Sequence, residues 1–338
     1  MKVSPSKHGL LKKAVCWFLA ILLIYVASSV ISSIAVFHYI FKRTDYPRTF
    51  EISYVDIDNA RYPREAVSFS SGVNTLKGYL YKKENAPGTI IVVNGIFSGA
   101  DRHLAEIMFF LDNGWQVFSF DGTGIGESDG DGIIGLQQTK LDLLAAIAAI
   151  KQAEGDTPIV LYGHSAGGYA AVTALDAMPD IAAVVSIAGF NSPVETMYFH
   201  ARQKVGFLAS IEYPFLWLQN RVTFGEDANV TAIEVLDNTD TPVMIIEGSG
   251  DTVVPGDIGI GRYCGRCKNP NVRYCYVDTL YRNSHTTIWL SSNAARQVTS
   301  ASKDEPAALP ADTRTKMNEV DSEFLLGILE FYTSAVAG

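Results

Sequence analysis

The sequence is poor in features that mark several large classes of protein. Among its 338 residues, 27 are lysine or arginine and 36 are aspartate or glutamate, and no basic stripe follows the first residues. We therefore expect no nucleic-acid partner, because binding to a phosphate backbone needs clustered positive charge. The glycine-rich pattern of P-loop proteins and the His-Glu-x-x-His pattern of zinc proteases are also absent, so neither chemistry has motif support.

Cysteine is scarce, with four residues in the chain. Three of them, Cys264, Cys267 and Cys275, cluster late in the sequence. Their Cys-x-x-Cys pair lacks the second pair of ligands that a structural zinc site needs, and its surroundings are not those of a thioredoxin-type redox site. In an oxidising compartment one disulfide could form among the three, and three thiols without a role are the other interpretation.

Charge is absent from one long segment near the N-terminus. Residues 14–41 contain no Asp, Glu, Lys or Arg. As a helix this segment is about 40 Å long, more than the roughly 30 Å hydrocarbon core of a bilayer. Lysines precede it, Lys2 among them, and Lys42, Arg43 and Arg48 follow it, a weak bias toward a C-terminal domain outside the cytoplasm. The sequence predicts a single-pass membrane anchor.

A cleaved signal peptide is the alternative to this anchor. The apolar core of a signal peptide is about 7–15 residues long, and this run is much longer, although Ser33-Ile-Ala35 could serve as a cleavage site. We place the cytoplasmic tail and anchor at residues 1–44 and a second domain at residues 45–338. A shortened chain that begins near Asp45 should then be soluble, folded and active.

Residues 159–168 contain the pattern Gly-x-Ser-x-Gly, with Ser165 at its centre. The apolar run before it is typical of a buried strand, and small apolar residues at 169–178 predict a following helix that ends at Pro179. A serine on so tight a turn is strained and exposes its hydroxyl above the sheet, and a Cβ at either flanking glycine would clash. We interpret Ser165 as a nucleophile; an ordinary glycine-rich turn is the alternative.

Continuous apolar runs alternate with helical stretches from residue 88 on, as in a parallel sheet with both faces buried. A hairpin with alternating apolar and polar residues precedes them. An edge strand is also expected at residues 50–57. The other predicted strands are residues 66–70, 76–81, 89–93, 115–120, 159–162, 181–187, 243–246 and 272–277, and further helices cover 104–111, 135–152 and 324–332.

Residues 190–240 interrupt this alternation and are rich in aromatic side chains. A connection this long is usually functional. We expect a helical cap whose aromatics form an apolar pocket for an acyl or alcohol group; an extra packing layer at the sheet edge is the alternative. Phe215 and Trp217 in this segment, with Phe97 and His164 near the predicted nucleophile, are the residues expected to contact substrate.

A serine hydroxyl needs a base within hydrogen-bonding reach, and the base needs a third group that fixes its tautomer. Of the six histidines, His285 follows the last predicted strand, whereas His164 is the variable residue of the turn and is expected to point away from the base. Asp251 lies between Ser165 and His285 in the sequence, in a glycine-bracketed loop, which matches the order serine, acid, histidine. Glu247 and Asp257 are the fallback acids.

The negative charge of a tetrahedral intermediate needs two backbone donors. One is the amide of Ala166, directly after the serine. The other comes from the loop after the strand at residues 89–93, where Gly95 lets the backbone turn and the amide of Ile96, or that of Phe97, can face the serine. We predict an oxyanion hole formed by Ile96 and Ala166.

Together these residues resemble the α/β-hydrolase family from about residue 65 to the end of the chain. Residues 121–130, Asp-Gly-Thr-Gly-Ile-Gly-Glu-Ser-Asp-Gly, are similar to the family's Asp-x-x-Gly-x-Gly-x-Ser-x-Gly turn. One departure is Asn94-Gly95, where the family usually has His-Gly. The resemblance implies an α/β fold with a mostly parallel sheet, helices on both faces and a helical cap at 190–240. It does not identify the substrate, because family members diverge in the cap.

The sequence therefore predicts a membrane-anchored serine hydrolase with no metal or organic cofactor. Carboxylic esters or thioesters are the expected small-molecule substrates, cleaved through an acyl-enzyme on Ser165 with help from His285 and Asp251. A serine peptidase of the aminopeptidase or oligopeptidase type is the second hypothesis, and a non-catalytic binding protein of the same fold is the third.

Overall fold

Eight strands form one sheet. The structure is a computed structural model that describes residues 7–44, 50–301 and 309–337. The hairpin turn falls at Gly72, whose φ of 59° suits glycine. The strands are β1 (Glu65–Ser71), β2 (Asn74–Tyr81), β3 (Thr89–Val93), β4 (Gln116–Asp121), β5 (Ile159–His164), β6 (Ala183–Ile187), β7 (Val243–Gly248) and β8 (Val272–Val277).

The strand order is β1-β2-β4-β3-β5-β6-β7-β8. β2 pairs antiparallel with β1 and β4, and all other pairs are parallel. β5 lies between β3 and β6, with Val93 opposite Gly163 and His164 opposite Ile187. Because parallel strands end at the same edge of a sheet, the loop after β3 lies next to the turn after β5.

Helices cover both faces of the sheet, as predicted. The helix after Ser165 begins three residues earlier than expected and becomes a 3-10 turn at Ala174–Asp176, before Pro179. The α-helices are α1 (Lys7–Ile40), α2 (Leu104–Asp112), α3 (Gln138–Glu154), α4 (Ala166–Thr173), α5 (Pro193–Val205), α6 (Leu208–Phe224), α7 (Ala232–Asn238), α8 (Ser292–Ser300), α9 (Ala311–Met317) and α10 (Ser322–Val336).

The core has two parts, one on each face of the sheet. In β3, Ile91 and Val93 join the cluster under α3 and α4, while Ile90 and Val92 join the cluster under α2 and α10. All four side chains are fully buried. Each such burial contributes about 1.5–3 kcal/mol, which explains why the strands read as unbroken apolar runs.

The edge strand expected at residues 50–57 is wrong. This segment contains a 3-10 helix at Tyr54–Asp56. The backbone amide of Ser53 donates to Asp56 Oδ2 at 2.9 Å, and that of Tyr54 donates to Asp101 Oδ2 at 2.8 Å. Carboxylates thus satisfy the amides that a neighbouring strand would have bound, so the chain turns instead of extending the sheet.

The four cysteines all lie in described parts of the chain and are free thiols. The structure therefore forms no disulfide among Cys264, Cys267 and Cys275. Burial raises the pKa of the Cys264 thiol to about 12, which disfavours the reactive thiolate. Within the described residues no three His, Cys, Asp or Glu side chains gather as a metal ion would require.

The cap insertion lies between β6 and β7 and consists of α5, α6 and α7. α5 begins where Ser192 accepts a hydrogen bond from the amide of Glu195, with Pro193 at the first helical position. It ends at Gly206, whose φ is 62°. The predicted helical insertion is therefore present in this position.

α1 is a continuous helix of 34 residues. Its stretch Leu11–Ile40 is long and apolar enough to cross a membrane. The first half is exposed, whereas one side of the second half faces the rest of the protein. Residues on that side recur every four positions, as one face of a helix requires. They are Tyr25, Ser29, Ser33, Phe37 and Phe41.

The end of α1 is attached firmly to the sheet domain. Phe41 is buried, and its ring stacks on that of Phe97 at 6.2 Å. Arg43 donates to three backbone carbonyls of the turn at residues 121–130, at 2.6–2.9 Å. The domain boundary predicted after residue 44 therefore separates Phe41 and Arg43 from the domain on which they pack. Lys2, Asp45 and Arg48 lie outside the described residues.

We expect Phe41→Ala to lower the free energy of unfolding by about 3–5 kcal/mol, since it empties a buried aromatic site. A chain that begins near Asp45 should lose more, because it also lacks Arg43. Phe18→Ala on the exposed half of α1 is the matched control and should leave stability unchanged. Thermal melting in detergent measures all three; equal melting temperatures for Phe41→Ala and Phe18→Ala would contradict the attachment.

Candidate active site

Ser165 occupies a strained turn between β5 and α4. Its φ is 57° and its ψ is −119°, a region that non-glycine residues rarely adopt. A Cβ on Gly163 would lie 2.3 Å from the carbonyl oxygen of Gly167, and a Cβ on Gly167 would lie 2.0 Å from that of Val93. Both flanking positions therefore require glycine, for the steric reason expected from the sequence.

His285 and Asp251 form a hydrogen-bonded pair. His285 Nδ1 donates to Asp251 Oδ2 at 2.7 Å. The other carboxylate oxygen of Asp251 accepts from the amides of Val253 and Val254, both at 2.8 Å. Because a carboxylate only accepts, Nδ1 carries the ring proton and Nε2 has a lone pair available for a hydroxyl. Ser165 Oγ has no hydrogen bond within the described residues; such contacts often tighten only when substrate binds.

Neither fallback acid is hydrogen-bonded to His285 in the described residues. Glu247 accepts from the amide of Gly261 at 2.6 Å and from the hydroxyl of Tyr274 at 3.2 Å. Burial raises the pKa of Glu247. The carbonyl of Asp257 accepts from Arg262. Of the three carboxylates considered from the sequence, Asp251 is the one bonded to His285 in the described structure.

The loop after β3 lies against the serine. A Cβ on Gly95 would lie 3.2 Å from Ser165 Cβ and 3.6 Å from Ser165 Oγ. The amide of Ile96 donates to no described residue. The amide of Ala166 is the first of α4, where no intrahelical partner exists and the helix dipole favours negative charge. The oxyanion hole of Ile96 and Ala166 stays a prediction.

His164 contacts the proposed base, His285. Its Nε2 donates to the backbone carbonyl of His285 at 2.9 Å, and the two ring centroids are 4.8 Å apart. The expectation that His164 points away from the base is therefore wrong. The rings of Trp289 and His103 also pack against His164, both edge-on. This placement suits a residue that supports the His285 backbone better than one that contacts substrate.

Burial holds the pKa of His164 well below its ordinary value. His103 is also buried, and its Nδ1 contacts Glu106 Oε1 at 2.5 Å. Burial disfavours a charged imidazole, so His164 stays neutral in the folded protein. This group of buried rings was not recognisable in the sequence, because its members are spread over residues 103–289 and meet only in the fold.

We expect buried His164 to make the folded protein less stable at acidic pH. As the pH falls through about 6.5, the unfolded chain binds a proton that folded His164 does not, so the free energy of unfolding falls by up to about 1.4 kcal/mol per pH unit. His164→Gln should reduce this slope between about pH 5 and 7. The exposed His38, changed to Gln, is the matched control. An unchanged slope in His164→Gln, measured by urea unfolding in detergent, would contradict this account.

The other predicted substrate contacts lie near α1. The ring of Phe215 meets that of Tyr25 edge-on at 5.5 Å, and Trp217 is 42% exposed. Phe97, with a φ of 63°, stacks on Phe41. Their contact with substrate stays a prediction. His200, on α5, was not proposed as a site residue from the sequence; burial lowers its pKa.

Comparisons with known proteins agree with this architecture. The sequence model of the family described as serine aminopeptidase, S33 matches residues 84–224. The Pyrococcus furiosus esterase PF2001 superposes with a TM-score of 0.59 at 19% identity, over 87% of this chain and 98% of that one. The chain has the α/β-hydrolase fold. The fold predicted from the sequence resemblance is thereby confirmed.

Two further similarities extend the comparison. Est1E from Butyrivibrio proteoclasticus, determined with ferulic acid bound, has a TM-score of 0.52 at 18% identity, over 78% of this chain and all of that one. Human protein ABHD12B is 24% identical over 176 residues, 47% of this chain and 44% of the human protein. The chain thus matches less than half the length of this curated relative. Together these similarities agree on the fold.

Proposed function

We propose that this α/β-hydrolase is a membrane-anchored serine hydrolase that cleaves carboxylic esters or thioesters. The observation that carries the proposal is the 2.7 Å hydrogen bond between His285 Nδ1 and Asp251 Oδ2, at the same edge of the sheet as a serine on a strained turn. Nucleophile, acid and base follow one another along the chain in the order that this fold uses. The pair leaves a basic Nε2 on the ring, which a serine nucleophile requires.

The proposed reaction uses groups of this chain alone. Ser165 Oγ attacks the acyl carbon while His285 Nε2 takes the hydroxyl proton, and the Ile96 and Ala166 amides donate to the oxyanion. The carbon–oxygen or carbon–sulfur bond to the leaving group then breaks, and His285 returns the proton to that group. A water molecule, deprotonated by His285, attacks the acyl-enzyme and releases the acid. Ser165 regains the proton.

Two observations favour different substrates. The structural similarity to esterases from Pyrococcus furiosus and Butyrivibrio proteoclasticus favours an ester. The match to a family described as serine aminopeptidase favours a peptide as the second candidate.

A substrate panel tests the proposal. Full-length protein in detergent is given p-nitrophenyl esters of increasing chain length, an acyl thioester and aminoacyl p-nitroanilides. We expect turnover of the esters and the thioester, with kcat/KM rising with chain length because each buried methylene contributes about 0.8 kcal/mol. Preferential cleavage of the anilides would establish the peptidase. No turnover and no labelling by a fluorophosphonate would establish a binding protein.

The membrane anchor is part of the proposal. α1 continues as an unbroken helix through residues 33–35, where a signal peptidase would cut, and its later residues pack on the domain. We infer an uncleaved single-pass span with the hydrolase domain outside the cytoplasm. The full chain should resist carbonate extraction and keep its original N-terminus. N-terminal sequencing that begins after Ala35 would establish a cleaved signal peptide instead.

A further inference from the structure

The turn between α5 and α6 exposes apolar side chains at one end of the cap. Val205 is 51% exposed, Phe207 73%, Leu208 49% and Ile211 44%. Four large apolar side chains within seven residues form a patch that a water-facing surface rarely carries without a partner. We call residues 205–211 the cap tip.

The cap tip lies beside the exposed apolar part of α1. The hydroxyl of Tyr25 donates to the carbonyl of Ile211 at 3.1 Å, and farther along both helices Ser33 donates to Gln219. α1 and α6 therefore run in the same direction along their contact. It follows that residues 205–208 lie at the level of the part of α1 that precedes Tyr25. That part is exposed and apolar, as in Leu23 and Ile24.

The length of α1 places residues 205–208 at a depth within a bilayer. The apolar stretch Leu11–Ile40 has 30 residues, whereas a hydrocarbon core of about 30 Å needs only about 20 residues of helix. A span that begins at Leu11 ends near Val30. Tyr25 then lies in the leaflet nearer the hydrolase domain, and the cap tip lies at or just below the depth of Tyr25. Gln219 lies beyond the span, where water can solvate it.

Cations border the cap tip. Arg202 and Lys204 lie in the last turn of α5 and are exposed. An apolar patch next to exposed basic side chains is the composition of segments that lie in a membrane interface, where cations meet lipid phosphates. The acidic residue of α6 next to the patch, Glu212, is turned toward α1 and accepts from Ser29 at 3.1 Å. The exposed charge at this end of the cap is therefore basic.

We propose that the cap tip inserts into the bilayer beside α1, so that the hydrolase is held at the membrane by two elements. The inference rests on the proposed membrane anchor and adds a second contact to it. The occupant of the exposed surface is the lipid of the leaflet nearer the domain: acyl chains around Phe207 and Leu208, and headgroup phosphates at Arg202 and Lys204. Interfacial segments of this composition bury their apolar face by about 5–10 Å.

Site-directed fluorescence quenching tests the insertion in the full chain. Single cysteines are placed at Phe207→Cys in the cap tip, Trp17→Cys in α1 and Val222→Cys near the far end of α6, in a background whose four native cysteines are replaced by serine or alanine. Val222 is the matched control, because it is equally exposed, at 78%, but lies beyond the level of Ser33. Each variant is labelled with bimane, assayed with a short-chain ester to show that it is folded, and reconstituted in phosphatidylcholine vesicles with or without brominated acyl chains.

Brominated lipid should quench the labels at positions 17 and 207 and leave the label at 222 unaffected, with a blue shift of emission at 207. Quenching at 17 without quenching at 207 would overturn the inserted cap tip and leave the anchor intact. A blue shift at 207 that brominated lipid does not quench would indicate contact with a second copy of the chain and would also overturn it. Quenching at neither 17 nor 207 would contradict the anchor as well.

Discussion

Replacing Ser165 with alanine should abolish covalent labelling by a fluorophosphonate and lower kcat by about 10⁶. The size of this loss follows from the proposed chemistry, since His285 and Asp251 activate nothing once the hydroxyl is absent. Residual turnover should reflect binding and the oxyanion amides alone. Gel labelling and single-turnover ester hydrolysis with the full-length protein measure the two effects.

The same variant should remain folded. Ser165 Oγ makes no hydrogen bond to a described residue, and alanine carries the same backbone strain at a φ of 57°. Ser70→Ala, an exposed serine on β1, is the matched control and should label and turn over like the wild type. Labelling of Ser165→Ala at the wild-type level would show that another serine is the nucleophile.

Asp251→Asn should lower kcat by about 10⁴ with little change in KM. Asparagine can keep the shape of the side chain, but its amide can donate toward Nδ1 and so favour the tautomer with the proton on Nε2. That proton would block the nitrogen that must accept from Ser165. Loss of the carboxylate also removes the negative charge that stabilises the imidazolium during attack.

Glu247→Gln is the matched control for the acid. Glu247 lies on β7, four residues before Asp251, and is likewise buried, but its hydrogen bonds go to Gly261 and Tyr274. Because burial raises its pKa, a neutral amide is a mild replacement, and kcat should stay within about tenfold of the wild type. Near-normal activity of Asp251→Asn beside an inactive Glu247→Gln would transfer the acid role to Glu247.

Local sequence patterns were sufficient to predict the strands of the sheet and the order of the candidate catalytic residues along the chain. Strands buried on both faces must be continuously apolar, so β3 to β7 could be predicted from composition. The glycines around Ser165 are required by contacts within a few residues and with β3, so the turn was also predictable. The segment at residues 50–57 was not, because side-chain carboxylates, one of them on distant Asp101, replaced the strand partner.

Taken alone, the sequence determined the α/β-hydrolase fold, the turn that carries Ser165, the long apolar helix and a short list of acids and bases. Each of these features depends on residues close in sequence or on burial, and both of these factors produce recognisable patterns along the sequence. Only the tertiary structure decided that Asp251 rather than Glu247 bonds His285, that His164 supports the His285 carbonyl, and that α1 docks on α6. Those contacts join residues 34 to 186 positions apart, and side-chain packing between distant elements has no signature in a single sequence.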